Sequence, residues 1–173
     1  MGIIRKLSNY IEHDILKILY SSLVHPYLLY GLEAWFSTHH YVQERMIILQ
    51  KRACRAVFSL EYNSHTNDYF KQMKFLKLED LYNFQVAVFM FKTLYLNQNC
   101  YFRRALSNYE SIHSHATRHS NNFILPLFTK SRSQFSIHFK MVKIWNDLPS
   151  HLRIKCSLPC FKKKLREWFL DRY

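Results

Sequence analysis

Only two glycines, Gly2 and Gly31, occur in the 173 residues. Tight hairpins and phosphate-cradling loops use glycine for positive φ and for close backbone approach. Its scarcity argues against a barrel, a sandwich, a P-loop or a dinucleotide-binding fold. Acidic groups are also few, twelve against twenty-five Lys and Arg. The one adjacent acidic pair, Glu79–Asp80, falls at a helix start, where acids favour the macrodipole. Paired carboxylates for two-metal phosphoryl transfer are missing. So are a G-x-S-x-G elbow and a cysteine beside a recognisable base motif. Long apolar runs are missing as well. The longest uncharged part of "ILKILYSSLVHPYLLYGLEAWF" is Ile18–Leu32, fifteen residues that include two serines, a histidine and a proline. A spanning helix needs about 18 to 20 predominantly apolar residues. Arg5 and Lys6 are not followed by a signal-peptide cleavage pattern.

The four cysteines, Cys54, Cys100, Cys156 and Cys160, are expected as reduced thiols of a nuclear or cytoplasmic protein. Cys156-x3-Cys160 and His113-x-His115 are possible metal ligands. Structural zinc usually shows two closely spaced pairs, and no His or Cys follows Cys160. His39 and His40 are adjacent and point apart. We therefore expect no metal and no cofactor.

What is present is apolar mass and positive charge. Hydrophobic residues make up 49% and aromatics 17%, so the chain is expected to fold. The net charge is +13 and unevenly placed. Residues 1–37 balance at three basic and three acidic groups, whereas residues 101–173 hold fourteen against four. Such asymmetry suggests a polyanionic partner, most often nucleic acid. An acidic membrane surface is the other candidate.

Helical spacing dominates the chain. Ile11, Ile15, Ile18, Leu19 and Ser22 mark one face of a first amphipathic helix, with Glu12, Asp14 and Lys17 opposite. Pro26 forces a kink or restart. Tyr27, Leu28, Leu29, Tyr30, Leu32 and Trp35 then read as a central core helix, apolar on most sides. Val42, Met46, Leu49, Ala53, Val57 and Leu60 form the next stripe, which Arg45, Lys51, Arg52 and Arg55 mostly avoid. Thr66 or Asn67 caps a short helix through Met73. The segment from Leu81 to Tyr95 reads as the most buried helix. Residues 97–130 break the rhythm, and a short β-hairpin or ordered loop near Phe123–Phe128 fits them. Phe135, Phe139, Val142 and Trp145 or Asn146 mark another inner side, stopped by Pro149. Ser157 then caps a last helix with Phe161, Leu165, Trp168 and Phe169 inside and Lys162, Lys163, Lys164 and Arg166 outside. No internal repeat is visible. The expected architecture is mainly α, a helical bundle of about five or six helices with one small β-hairpin.

Nucleic-acid binding is the chemistry these residues best serve. Arg45, Lys51, Arg52 and Arg55 from one helix are candidate phosphate contacts. Arg118, Lys130 and Arg132 around the hairpin join them, with Lys162, Lys163 and Lys164 from the last helix. Nearby tyrosines and phenylalanines can stack unpaired bases, although at helical spacing aromatics are more often core.

Five blocks occur in order: "KILYSSLVHPYLLYGLEAW", "LQKRACRAVF", "FKQMKFLKLEDLYNFQVAVFMFK", "ATRHS…LP" and "FSIHFKMVKIWNDLPSHLRIKCSLPCFKKKLREWFL". Each resembles a block in the C-terminal part of reverse transcriptases encoded by non-LTR (LINE-type) retrotransposons. The likeness covers about residues 2–170. It implies a thumb-like helical domain at 1–97, a loop or hairpin connector at 98–130 and a basic helical region at 131–173. In such polymerases, thumb helices grip the template–primer duplex by its backbone. The catalytic Asp-Asp box belongs to the palm and has no match here. The resemblance thus implies a non-catalytic fragment of an RNA-directed DNA polymerase. Its partners would be RNA or an RNA–DNA hybrid and the missing palm domain of the parent polymerase. Neither a membrane nor a metal is implied. Family members often carry glycine near Ser133 and Lys140–Met141, where this chain has none. Two other readings remain open: a helical protein-interaction module using Tyr27 or Trp35, and a decayed remnant.

Overall fold

We describe the fold from a computed structural model, in its residues 2–37, 40–107, 122–127 and 131–173, leaving aside the side chains of Cys100, Ser131 and Arg132. The protein is mainly α-helical. Its helices are α1 (Gly2–Leu7), α2 (His13–Leu23), α3 (His25–Leu29), α4 (Leu32–Trp35), α5 (His40–Val57), α6 (Asn67–Met73), α7 (Leu78–Tyr95), α8 (Cys100–Arg104), α9 (Ile137–Asp147) and α10 (Leu158–Leu170). Five of them run eleven residues or more, and the shorter ones fill the connections. Short 3-10 turns occupy Ser131–Phe135 and Ser150–Leu152. No strand occurs among the described residues, so the hairpin expected near Phe123–Phe128 is not shown; residues 123–127 are described and 128–130 lie outside. What the described part retains is one backbone bond, Ile124 N–H to Ser107 C=O at 2.8 Å.

The chain forms two compact units, residues Met1–Tyr82 with Arg166–Tyr173, and residues Asn83–Leu165. In the first, Ile4, Leu16, Tyr20, Ala53, Cys54, Val57, Phe70 and Met73 make the core. Leu16 and Tyr20 are one turn apart on α2 and are wholly buried. The face expected to be inward, Ile15 and Ile18, is 49% and 64% exposed. Both stripes have helical spacing, and packing against α1 and α5 selects the second. Pro26 does restart the helix: α2 ends at Leu23, Val24 leaves ideal geometry and α3 begins with Pro26 in its first turn. The central core helix expected beyond it is instead two short helices. Gly31 separates them at φ 60°, a left-handed conformation that glycine adopts without steric cost. Leu28, Leu32 and Phe36 are buried, while Tyr27 and Tyr30 are exposed.

A buried amide closes this unit. Gln50 Nε2 donates to Leu76 C=O at 3.0 Å, and its Oε1 accepts from Leu78 N–H at 2.8 Å. The first free N–H of α7 is thereby satisfied from α5, as buried helix ends require. Tyr173 adds a second tie, its hydroxyl accepting from Lys77 N–H at 2.7 Å.

From Leu78 to Thr93, Glu79 alone is exposed, which makes α7 apolar on nearly every side. In the second unit its Phe91 ring stacks on Phe161 of α10 at 4.3 Å, and Trp145 of α9 approaches the same ring at 6.0 Å. Ser136 caps α9 by accepting from Phe139 N–H. Asn146 of α9 takes both backbone groups of Phe123, at 3.0 and 2.8 Å, and Arg153 holds Asn122 at 2.7 Å. Segment 122–124 is thus docked by side chains.

Two histidines make this fold sensitive to acid. His25 lies against Phe75 and Tyr20, and burial, then the charge of Arg166, hold its pKa below the ordinary value. Burial lowers His138 likewise. A lowered pKa means that the unfolded chain binds more protons near pH 6. The stability that these groups contribute is therefore complete above about pH 6.5 and is lost as pH falls toward the folded-state values. The thermal midpoint is expected to drop between about pH 7 and pH 5. A His25→Gln, His138→Gln double variant should flatten that drop; an undiminished drop would exclude these two groups as its cause.

Candidate nucleic-acid interface

The buried positions of α5 are Gln50, Ala53, Cys54 and Val57. At about 100° per residue they define one side of the helix, and Arg45, Lys51, Arg52 and Arg55 fall within an opposite arc of roughly 120°. The core stripe therefore forces these four cations into one outward band. Arg45 and Arg52 are exposed, Lys51 and Arg55 half-buried. None of the four joins an ion pair among the described residues, where Lys17–Asp14 ties a lysine to a carboxylate at 2.9 Å.

The band is held in place by aromatic and backbone partners. Arg45 Cζ lies 5.5 Å from the Tyr41 ring centroid and its Nη1 donates to the Tyr41 hydroxyl at 3.2 Å. Arg52 Cζ lies 5.8 Å from the Tyr62 ring and its Nη2 approaches the Tyr62 hydroxyl at 3.4 Å. Arg55 differs in role: its Nε donates to Ser64 C=O at 3.0 Å and so anchors the loop after α5. Lys77 extends the band. Burial lowers its pKa; the like charge of Lys51 pushes the same way, against Asp80 and Glu79. Its ammonium lies 4.1 Å from the Tyr173 ring centroid. Lys140 over Phe135 and Arg172 over Trp168 repeat the pattern of a cation resting on a ring.

Lys162, Lys163 and Lys164 are all exposed on α10. Consecutive positions splay over about 200°, so they surround the side opposite Phe161, Leu165 and Phe169 rather than forming a single row. Arg132 falls in the 3-10 turn Ser131–Phe135. Arg118 and Lys130 lie outside the described residues, as do His113 and His115. The structure thus groups the four α5 residues on one side of their helix. Reading by residue type alone missed Lys77 and the two arginine-bound tyrosines; the i, i+4 spacing of Tyr41 and Arg45 was the available signal.

Other chemistry finds little support in the geometry. Among the described residues no group of three or more His, Cys, Asp or Glu converges. Cys156 and Cys160 do meet: burial first, then the neighbouring Cys160 thiol, raise the Cys156 pKa. Burial pushes the Cys54 thiol up to about 12, which makes it a poor nucleophile. No helix among the described residues is long and apolar enough to cross a membrane. No protein-family model matches the chain, and no curated protein or solved structure matches it either.

Proposed function

We propose that this chain is a non-catalytic, nucleic-acid-binding helical fragment of the reverse-transcriptase type, which grips the backbone of RNA or an RNA–DNA hybrid. One observation carries the reading: the band on α5, whose Arg45, Lys51 and Arg52 face away from the core and join no ion pair among the described residues, while the one carboxylate of that arc, Glu44, lies against His40. Cations that outnumber the carboxylates of their face are suited to phosphates, and each phosphate neutralised releases counterions. The resemblance of the five sequence blocks agrees with it and supplies no catalytic carboxylate pair.

The test is hybrid binding by the purified chain at roughly 50 and 200 mM salt, where several phosphate contacts imply a loss of tenfold or more. Replacing Arg45 and Arg52 with alanine should weaken binding and reduce the salt slope by about two. Arg55 is avoided because its bond to Ser64 makes its loss a folding defect. An unchanged slope would refute the assignment.

Exposed apolar side chains favour a second reading. Ile15, Ile18, Tyr27 and Tyr30 are each about half exposed or more, which suits a protein-interaction module. Binding through them would persist at high salt and be lost in an Ile18→Ser, Tyr27→Ser variant that retains nucleic-acid affinity.

A further inference from the structure

The outer band of α5 contains more than charge. Tyr41, Arg45, Ile48 and Arg52 recur at i, i+4, i+7 and i+11, which places them in one row along the helix. All four are exposed. Tyr62, from the turn after α5, lies against Arg52. The row therefore begins and ends in a tyrosine paired with an arginine, and the two arginines are about 10 Å apart along the helix axis. Tyr41 is 64% exposed and Tyr62 70%. Tyr10, Tyr27, Tyr30 and Tyr101 are also exposed, but none has a cation resting on its ring among the described residues.

We infer that Tyr41 and Tyr62 are stacking platforms for unpaired bases, and that this face takes a single strand of nucleic acid with its phosphates on Arg45 and Arg52. This inference rests on the nucleic-acid reading above and adds the strand state of the ligand. In a duplex the base faces are already stacked on one another, so an exposed ring has nothing to stack against. In a single strand every base offers a free face, whatever its sequence. A guanidinium beside each ring fixes the ring's orientation in the free protein. It also places a phosphate-binding cation next to the base site. Charge complementarity selects the occupant: the row has two arginines, the face around it adds Lys51 and Arg55 against one carboxylate, Glu44, which lies against His40 at 3.4 Å, and a protein partner would meet +13 overall.

The deciding experiment compares three ligands of about twelve nucleotides on the full chain: a single-stranded RNA, the same strand with abasic residues, and an RNA–DNA hybrid. Base removal leaves the phosphates in place. It should weaken single-strand binding about tenfold while preserving the salt slope. A Tyr41→Leu, Tyr62→Leu variant should bind the intact strand about tenfold more weakly and no longer distinguish it from the abasic strand. Its hybrid binding should be unchanged, which also shows that it is folded. Equal binding of intact and abasic strands by the wild-type chain overturns this inference while leaving backbone binding standing. Equal weakening toward strand and hybrid in the variant overturns it too. Failure to bind any of the three ligands overturns both this inference and the proposed function.

Discussion

Replacing Phe161 with alanine is expected to cost about 3 to 5 kcal/mol, a large share of the stability of a domain this size. The ring is 1% exposed, stacks on Phe91 at 4.3 Å and is approached by Trp145 at 6.0 Å. Alanine removes the transfer energy of the ring and leaves a cavity lined by aromatic side chains that are themselves wedged against neighbours. Phe161→Leu keeps much of the volume and should cost clearly less. Urea denaturation of the two variants measures both values. A loss below about 1 kcal/mol for alanine would mean that the ring is not packed as described. The position adjoins Lys162, so the result also decides how α10 variants are to be read: charge changes at 162–164 test binding, whereas changes at 161 test folding.

Replacing Gln50 with leucine should cost about 2 to 4 kcal/mol for a different reason. Little volume is lost. What is lost is the partner of Leu78 N–H and of Leu76 C=O, both in a site where Gln50 is 1% exposed. A buried donor left unpaired forfeits its full desolvation cost, which exceeds the net gain of an ordinary hydrogen bond. The local signature is hydrogen exchange: the Leu78 amide should lose its protection while amides in the middle of α7 retain theirs. Retained protection at Leu78 would show that another group has taken over the bond. Because Gln50 faces the core and Arg52 faces out, a folded Gln50→Leu protein is expected to keep its nucleic-acid affinity.

Gln50 also shows how far residue pattern can be read. In "LQKRACRAVF" it looks like one more polar residue beside Lys51 and Arg52. Periodicity sorts residues by polarity, so it assigns a buried amide to the wrong side. On α2 the difficulty is the reverse. Ile15 and Ile18 form as good a stripe as Leu16 and Tyr20, and hydrophobicity does not rank them. In Tyr27–Trp35, tyrosine was counted as apolar. Its ring end is apolar and its hydroxyl is not, so Tyr27 and Tyr30 remain in water while Leu28 and Leu32 are buried. The α5 band was legible because four cations share an arc that the Ala53 and Val57 stripe leaves free. The tyrosines that hold two of them were less so, since Tyr62 reaches Arg52 only through the turn after the helix.

Local chemistry along the chain was enough to specify a mainly helical protein with few glycines, a break at Pro26, the burial of α7, the inner stripe of α10, and a basic outward face on α5. Each depends on spacing, or on a backbone restriction that a residue imposes on its neighbours. Partner choice had to wait for the fold: which stripe of α2 goes inward, which polar group is buried at the start of α7, and which aromatic ring each arginine meets. Those choices compare competing surfaces of similar hydrophobicity, and the difference between them lies in shape and hydrogen bonding across elements far apart in sequence.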